Sequence, residues 1–120
     1  GNQLSLIAGK EGLRKVVEEN IEKEVQRKGL IVSEFLKNEV CVLDERISFR
    51  GVGLIWGVDF SAFSTDMTKP LIAECFKNGL IVERVGRDNN VLKLMPPLVI
   101  EDEKLVAGLE ILKKSIKAIL

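Results

Sequence analysis

The sequence predicts an α+β domain of two layers, a small and mainly antiparallel four-stranded sheet with helices on one side. Three observations predict it. The chain has 120 residues, the length of one domain. Its hydrophobic share of 46% and charged share of 30% are those of a folded globular chain, not a disordered one. Along it the apolar period switches between helical and alternating, in the order helix, two strands, helix, two strands, helix.

Each element has its own signals. Residues 1–9 (GNQLSLIAG) are small and mildly apolar, and suit a turn or the first part of a helix. From Lys10 to Asn38 the period is helical. Leu13, Val17, Ile21 and Val25 recur at intervals of four, and Val32, Phe35 and Leu36 continue the face with a slight rotation. Between them lie Glu18, Glu19, Glu22, Lys23, Glu24, Arg27 and Lys28, charges at pairing distance along a helix. Gly29 costs such a helix on the order of 1 kcal/mol, so it marks a kink or a close packing contact. Alternation over Val40–Phe49 and the apolar run Val52–Phe60 predict strands at 41–49 and 52–60, with Arg50-Gly51-Val52-Gly53 between them as a bulge or a close backbone approach.

Ser61–Lys69 is a polar connector. Pro70 suits the first turn of a second helix capped by Thr68 or a neighbour, with Leu71, Ile72, Cys75 and Phe76 as its buried face. Asn78-Gly79 ends that helix, and Leu80 is placed to pack back on Cys75 in a Schellman cap. Leu80–Val85 and Val91–Met95 predict a hairpin about the turn 86–90, closed by Pro96-Pro97. Glu101-Asp102-Glu103 supplies acid to the first turn of a last helix whose inner face is Leu105, Leu109, Leu112, Ile116 and Ile119.

Composition excludes much chemistry. Lys+Arg and Asp+Glu are both 18, so no global field attracts nucleic acid or an anionic membrane. His is absent, which removes His-based nucleophile systems, His-ligated zinc and His proton shuttles. Cys41 and Cys75 sit far apart inside apolar runs and suit buried, reduced thiols of a cytoplasmic protein. No apolar stretch reaches the roughly 18–20 residues of a membrane span, and no charged-then-apolar leader opens the sequence. A chain that begins at Gly1 reads as a piece of a longer one.

The motifs of phosphate, dinucleotide, zinc and nucleophile-elbow sites are missing. Trp56 suits core or interface, and Lys113-Lys114 an exposed pair. Two cations stand out. Arg50 lies beside glycines between two strands, where it can meet an anion or a carboxylate. Lys93 lies mid-strand, on the face opposite Leu92 and Leu94, as an exposed lysine or as a cation lining a site at the end of the sheet.

In sequence order, Phe49-Arg50-Gly51-Val52-Gly53-Leu54-Ile55-Trp56-Gly57-Val58-Asp59-Phe60, Cys75-Phe76-Lys77-Asn78-Gly79-Leu80-Ile81-Val82-Glu83 and Leu92-Lys93-Leu94-Met95-Pro96-Pro97-Leu98-Val99-Ile100 resemble three segments of class III aminotransferases that use pyridoxal phosphate. Gly1-Asn2-Gln3-Leu4 is similar to the segment opening the C-terminal third of such enzymes, and Glu103–Ile119 to their last helix. The resemblance spans essentially the whole chain. Lys93 stands where the family commonly has a carboxylate-binding arginine. With "GNQL" and "WGVDF", this is most similar to the diaminobutyrate–2-oxoglutarate branch.

The resemblance implies the C-terminal part of a type I fold, with 1–38 as the tail of a large domain plus a linking helix and 39–120 as a small α+β domain. It implies a parent that exchanges an amino group between L-2,4-diaminobutyrate, or a similar ω-amino donor, and 2-oxoglutarate. That parent would be a cytoplasmic homodimer with pyridoxal phosphate. The Schiff-base lysine would lie upstream, so no catalytic residue and no cofactor is expected in this piece. Its partners would be the upstream large domain, an amino acid and a 2-oxo acid, with no nucleic acid and no membrane. Lys93 is the expected substrate contact, and Arg50 a structural bridge from the sheet to a neighbouring segment. The competing reading is a free-standing α+β module for ligand binding or oligomerisation. An excised small domain would expose an apolar patch, and such a module would not.

Overall fold

The structure, a computed structural model, describes residues 3–120, with side chains described from residue 12 onward. Gly1 and Asn2 of the predicted first segment lie outside the described residues, and the rest of it is helical. Helix α1 runs over Gln3–Phe35. It ends in a π-helical turn at Leu36–Val40, where the Cys41 amide donates to the Leu36 carbonyl at 2.8 Å.

The first predicted strand is therefore corrected. Val40 is buried as the last residue of the π turn, and Val42 is exposed. Asp44 then closes a turn by accepting the Arg46 amide at 2.9 Å, which diverts the chain before pairing can start. Strands β1 (Ser48–Val52) and β2 (Ile55–Asp59) follow as a hairpin, with Gly53-Leu54 as its two-residue loop. Gly53 has φ +60°, as the first central residue of a type II′ turn requires.

Helix α2 covers Thr68–Lys77. Thr68 is its first residue, not its cap, and the Asp66 carboxylate accepts the Lys69 amide at 3.2 Å. Leu71 and Cys75 are buried and Ile72 half-buried, but Phe76 is exposed, contrary to expectation. The Schellman cap is present. Gly79 has φ +94°, the Leu80 amide donates to Cys75 O at 2.8 Å, and the Gly79 amide donates to Phe76 O at 3.0 Å.

Strands β3 (Glu83–Val85) and β4 (Val91–Leu94) form the second hairpin, and β4 also pairs with β2. The sheet order is β1-β2-β4-β3, antiparallel throughout. β3 is shorter than predicted. Its pairing with β4 ends at Glu83 opposite Lys93, before Pro96 is reached. Helix α3 (Asp102–Ile119) has Asp102 and Glu103 in its first turn and buries Leu105, Leu109, Leu112 and Ile116.

One face of the sheet and the inner sides of the helices make a single core. It holds Val32, Leu36, Trp56, Val58, Leu71, Leu92, Leu94 and Leu112. Leu80 packs against the same cluster, which includes Cys75. Arg27 clamps α1 to α3 with a two-pronged pair to Asp102, at 2.5 and 3.0 Å. Lys28, buried, donates its Nζ to the Leu98 carbonyl. Gly29 proves to be a close contact: a Cβ there would lie 2.5 Å from the Gly53 carbonyl oxygen.

The early part of α1 is different. Leu13, Val16, Val17 and Ile21 form an apolar stripe that nothing covers among the described residues. The molecule is accordingly elongated, 63 × 27 × 22 Å with a radius of gyration of 18.2 Å, where a compact chain of this length would have about 14 Å.

Candidate functional site

Strand alternation sorts the sheet into two faces. Phe49, Trp56, Val58, Leu92 and Leu94 face the helices. The other face carries a row set by register: Arg50 opposite Gly57, Gly57 opposite Lys93, and Lys93 opposite Glu83. Gly57 interposes no side chain between the two cations. A Cβ there would lie 3.0 Å from a Val91 methyl, so the glycine lets Val91 lie flat on the sheet. Val52 and Ile55 extend this face as exposed apolar residues at the hairpin tip.

The charges on this face are not equivalent. Arg50 donates to the Asp59 carboxylate at 3.0 Å, and Asp59 also accepts the Ser61 amide at 2.8 Å. Burial pushes the Asp59 carboxyl up, but the Ser61 and Arg50 bonds outweigh it and hold the group below the usual carboxylate range. Arg50 is thus structural, as expected, although it joins two strands of the sheet and not the sheet to another segment. Among the described residues neither Lys93 nor Glu83 has an ion pair. Glu83 was not singled out in the sequence. The predicted hairpin held the signal, because pairing Val85 with Val91 sets Glu83 opposite Lys93.

Beyond the Glu83–Lys93 pair, where the β3–β4 ladder ends, Leu80–Val82 and Met95–Pro97 border a cleft of about 250 Å³. Its walls are apolar, with Met95, Pro96, Ile100 and Leu109 among them, and Lys93 and Lys104 also line it. The lining does not fit pyridoxal phosphate by itself, since it includes no carboxylate to pair a ring nitrogen and no aromatic ring to stack.

The remaining candidates are inert. Burial pushes both the Cys41 and the Cys75 thiol up, so neither is a ready thiolate. Trp56 is core, its Nε1 donating to the Gly53 carbonyl at 2.7 Å. Lys113, expected to be exposed, is half-buried and donates to Glu39 at 2.7 Å. Among the described residues no group of His, Cys, Asp and Glu could hold a metal ion, and no helix is long and apolar enough to cross a membrane.

The aminotransferase class-III family model matches residues 1–116. A diaminobutyrate–2-oxoglutarate transaminase of Wolinella succinogenes is 37% identical over 121 residues, covering 100% of this chain and 28% of that protein. Among solved structures, a phospholyase from Arthrobacter in complex with phosphoethanolamine matches 94% of this chain and 28% of its own, at 30% identity and TM-score 0.76. N-acetylornithine aminotransferase from Stenotrophomonas maltophilia matches 98% of this chain and 32% of its own, at 25% identity and TM-score 0.75. The chain thus spans under a third of the length of these relatives.

Proposed function

The chain belongs to the class-III aminotransferases, and on that premise we propose that it is the C-terminal portion of a transaminase acting between L-2,4-diaminobutyrate, or a similar ω-amino donor, and 2-oxoglutarate. Residues 1–38 are the tail of a large domain and its linking helix, and 39–120 a small domain that closes over the substrate. The relatives' names and their greater length support this. So do the uncovered stripe of α1 and the apolar hairpin tip, a surface suited to docking on another domain. The parent acts as a cytoplasmic homodimer, and this chain alone is inactive. Pyridoxal phosphate, held by the rest of the parent, supplies the electron sink for amino transfer.

This chain supplies orientation. The observation that carries the reading is Lys93, a cation on the uncovered sheet face, beside the cleft, with no ion-pair partner among the described residues. Its ammonium neutralises a carboxylate as a point charge, without the fork of an arginine. Donor and acceptor each bring a carboxylate, so one lysine serves both halves of the exchange.

Lys93→Gln in the full-length parent tests it. A charge-assisted hydrogen bond is worth about 1.5–3 kcal/mol, so the KM for 2-oxoglutarate should rise about tenfold or more, with Lys93→Arg recovering part of the loss. An unchanged KM in Lys93→Gln would remove Lys93 from the site. Turnover by the 120-residue chain alone, given pyridoxal phosphate, would overturn the fragment reading.

A further inference from the structure

We propose that Glu83 holds the α-ammonium of the amino donor while Lys93 holds its α-carboxylate, and that this pair selects which of the donor's two amines is transferred. The inference rests on the reading of Lys93 as a substrate contact.

Glu83 and Lys93 are direct partners on antiparallel strands and share the open face. Side chains so placed have Cβ atoms about 4.5–5.5 Å apart, and opposite charges there ordinarily pair. Arg50 and Asp59, on the same face, do pair at 3.0 Å. Glu83 and Lys93 form no ion pair with each other or with any other described residue. The next residue on β3, Arg84, faces the other way and is neutralised by Asp66 at 3.0 Å. The site therefore keeps one cation and one anion side by side, each with its bonding capacity open.

That doublet complements the head of an α-amino acid, whose carboxylate and ammonium sit on one carbon. In a 2,4-diamino acid held this way, the γ-amine points away from the sheet. Exchange at that end converts the γ-carbon to an aldehyde, while C2 of the 2-oxo acid gains the amino group and gives up its oxygen. Exchange at the α-end would leave a 2-oxo acid instead. The acceptor, 2-oxoglutarate, carries two carboxylates and no ammonium, so Glu83 contributes nothing to holding it and repels it weakly.

The test uses Glu83→Gln and Glu83→Asp in the full-length parent, with Lys93→Gln alongside. Three readouts are taken: the calorimetric Kd for diaminobutyrate, the KM for each substrate, and the ratio of aldehyde to 2-oxo acid product. For Glu83→Gln the expected result is a rise of about tenfold or more in donor Kd and KM. The KM for 2-oxoglutarate stays unchanged or falls, and 2-oxo acid product appears. Glu83→Asp recovers part of the donor affinity. An unchanged donor Kd, or an equal rise in both KM values with the product ratio intact, overturns the proposal. Lys93→Gln then tells which step failed. If it raises both KM values, only the role of Glu83 is wrong. If it moves neither, the reading of Lys93 is wrong as well.

Discussion

The two faces of the sheet differ in kind. On the helix side Val58 and Leu92 are fully buried, and Trp56 and Leu94 nearly so. On the other side the same strands present Arg50, Lys93 and Glu83 in register, flanked by Val52 at 78% exposure. Leu92 and Lys93 are chain neighbours, yet one is packed in the core and the other has no ion-pair partner among the described residues. A single strand thus presents a buried apolar residue and an uncovered cation at alternate positions, and on the proposed function the second serves recognition.

The sharpest way to break this comparison is to alter the two neighbours in turn. Leu92→Ala opens a cavity in the core and should cost about 2–5 kcal/mol of unfolding free energy. Lys93→Gln should change stability by no more than about 0.5 kcal/mol. Denaturant unfolding of both variants checks this. Equal losses would mean that the face bearing Lys93 is also part of the core.

A smaller effect is expected at the point where the long helix touches the sheet. Alanine at Gly29 would place its Cβ 2.5 Å from the Gly53 carbonyl oxygen, a backbone atom with little freedom to retreat. Gly53 is itself fixed by its φ of +60° and by Val25, whose methyl lies 2.8 Å from where a Cβ would be. Overpacking of this kind costs about 1–3 kcal/mol, more than the alanine's better helix propensity returns. Gly29→Ala should therefore lower the Tm, and a raised Tm would show that α1 can move off the hairpin.

The covered face was more legible in the sequence than the open one. Periodicity placed Leu105, Leu109, Leu112 and Ile116 inward on α3, and the Asn78-Gly79 signal gave the Schellman cap. Both are local patterns. The start of β1 was misplaced because Val40 and Val42 alternate like a strand, while a π turn and the Asp44 turn decide the backbone there. The apolar stripe of α1 shows the limit of periodicity, which identifies an apolar face but not what covers it. Lys93 was visible as a strand lysine beside two prolines. Glu83 became visible only by carrying the predicted β3–β4 hairpin through to its register, in which Val85 opposite Val91 sets Glu83 opposite Lys93.

The smallest effect concerns the one neutralised pair on the open face. Ser61 and Arg50 hold the Asp59 carboxyl below its usual range in the folded chain, against the upward push of burial. A carboxyl with a depressed folded pKa adds stability above its unfolded pKa of about 3.9, and that stability is lost as pH falls through the lower folded value. Asp59→Asn keeps an oxygen for the Ser61 amide but gives up the charge. At neutral pH it should cost at most about 1 kcal/mol, because Arg50 is largely exposed and an exposed partner is well screened. Once the pH lies below the folded value, the wild-type and Asp59→Asn unfolding curves should converge, since both then carry a neutral group at this position. A gap that persists at low pH would place the role of Asp59 in its hydrogen-bond geometry and not in its charge.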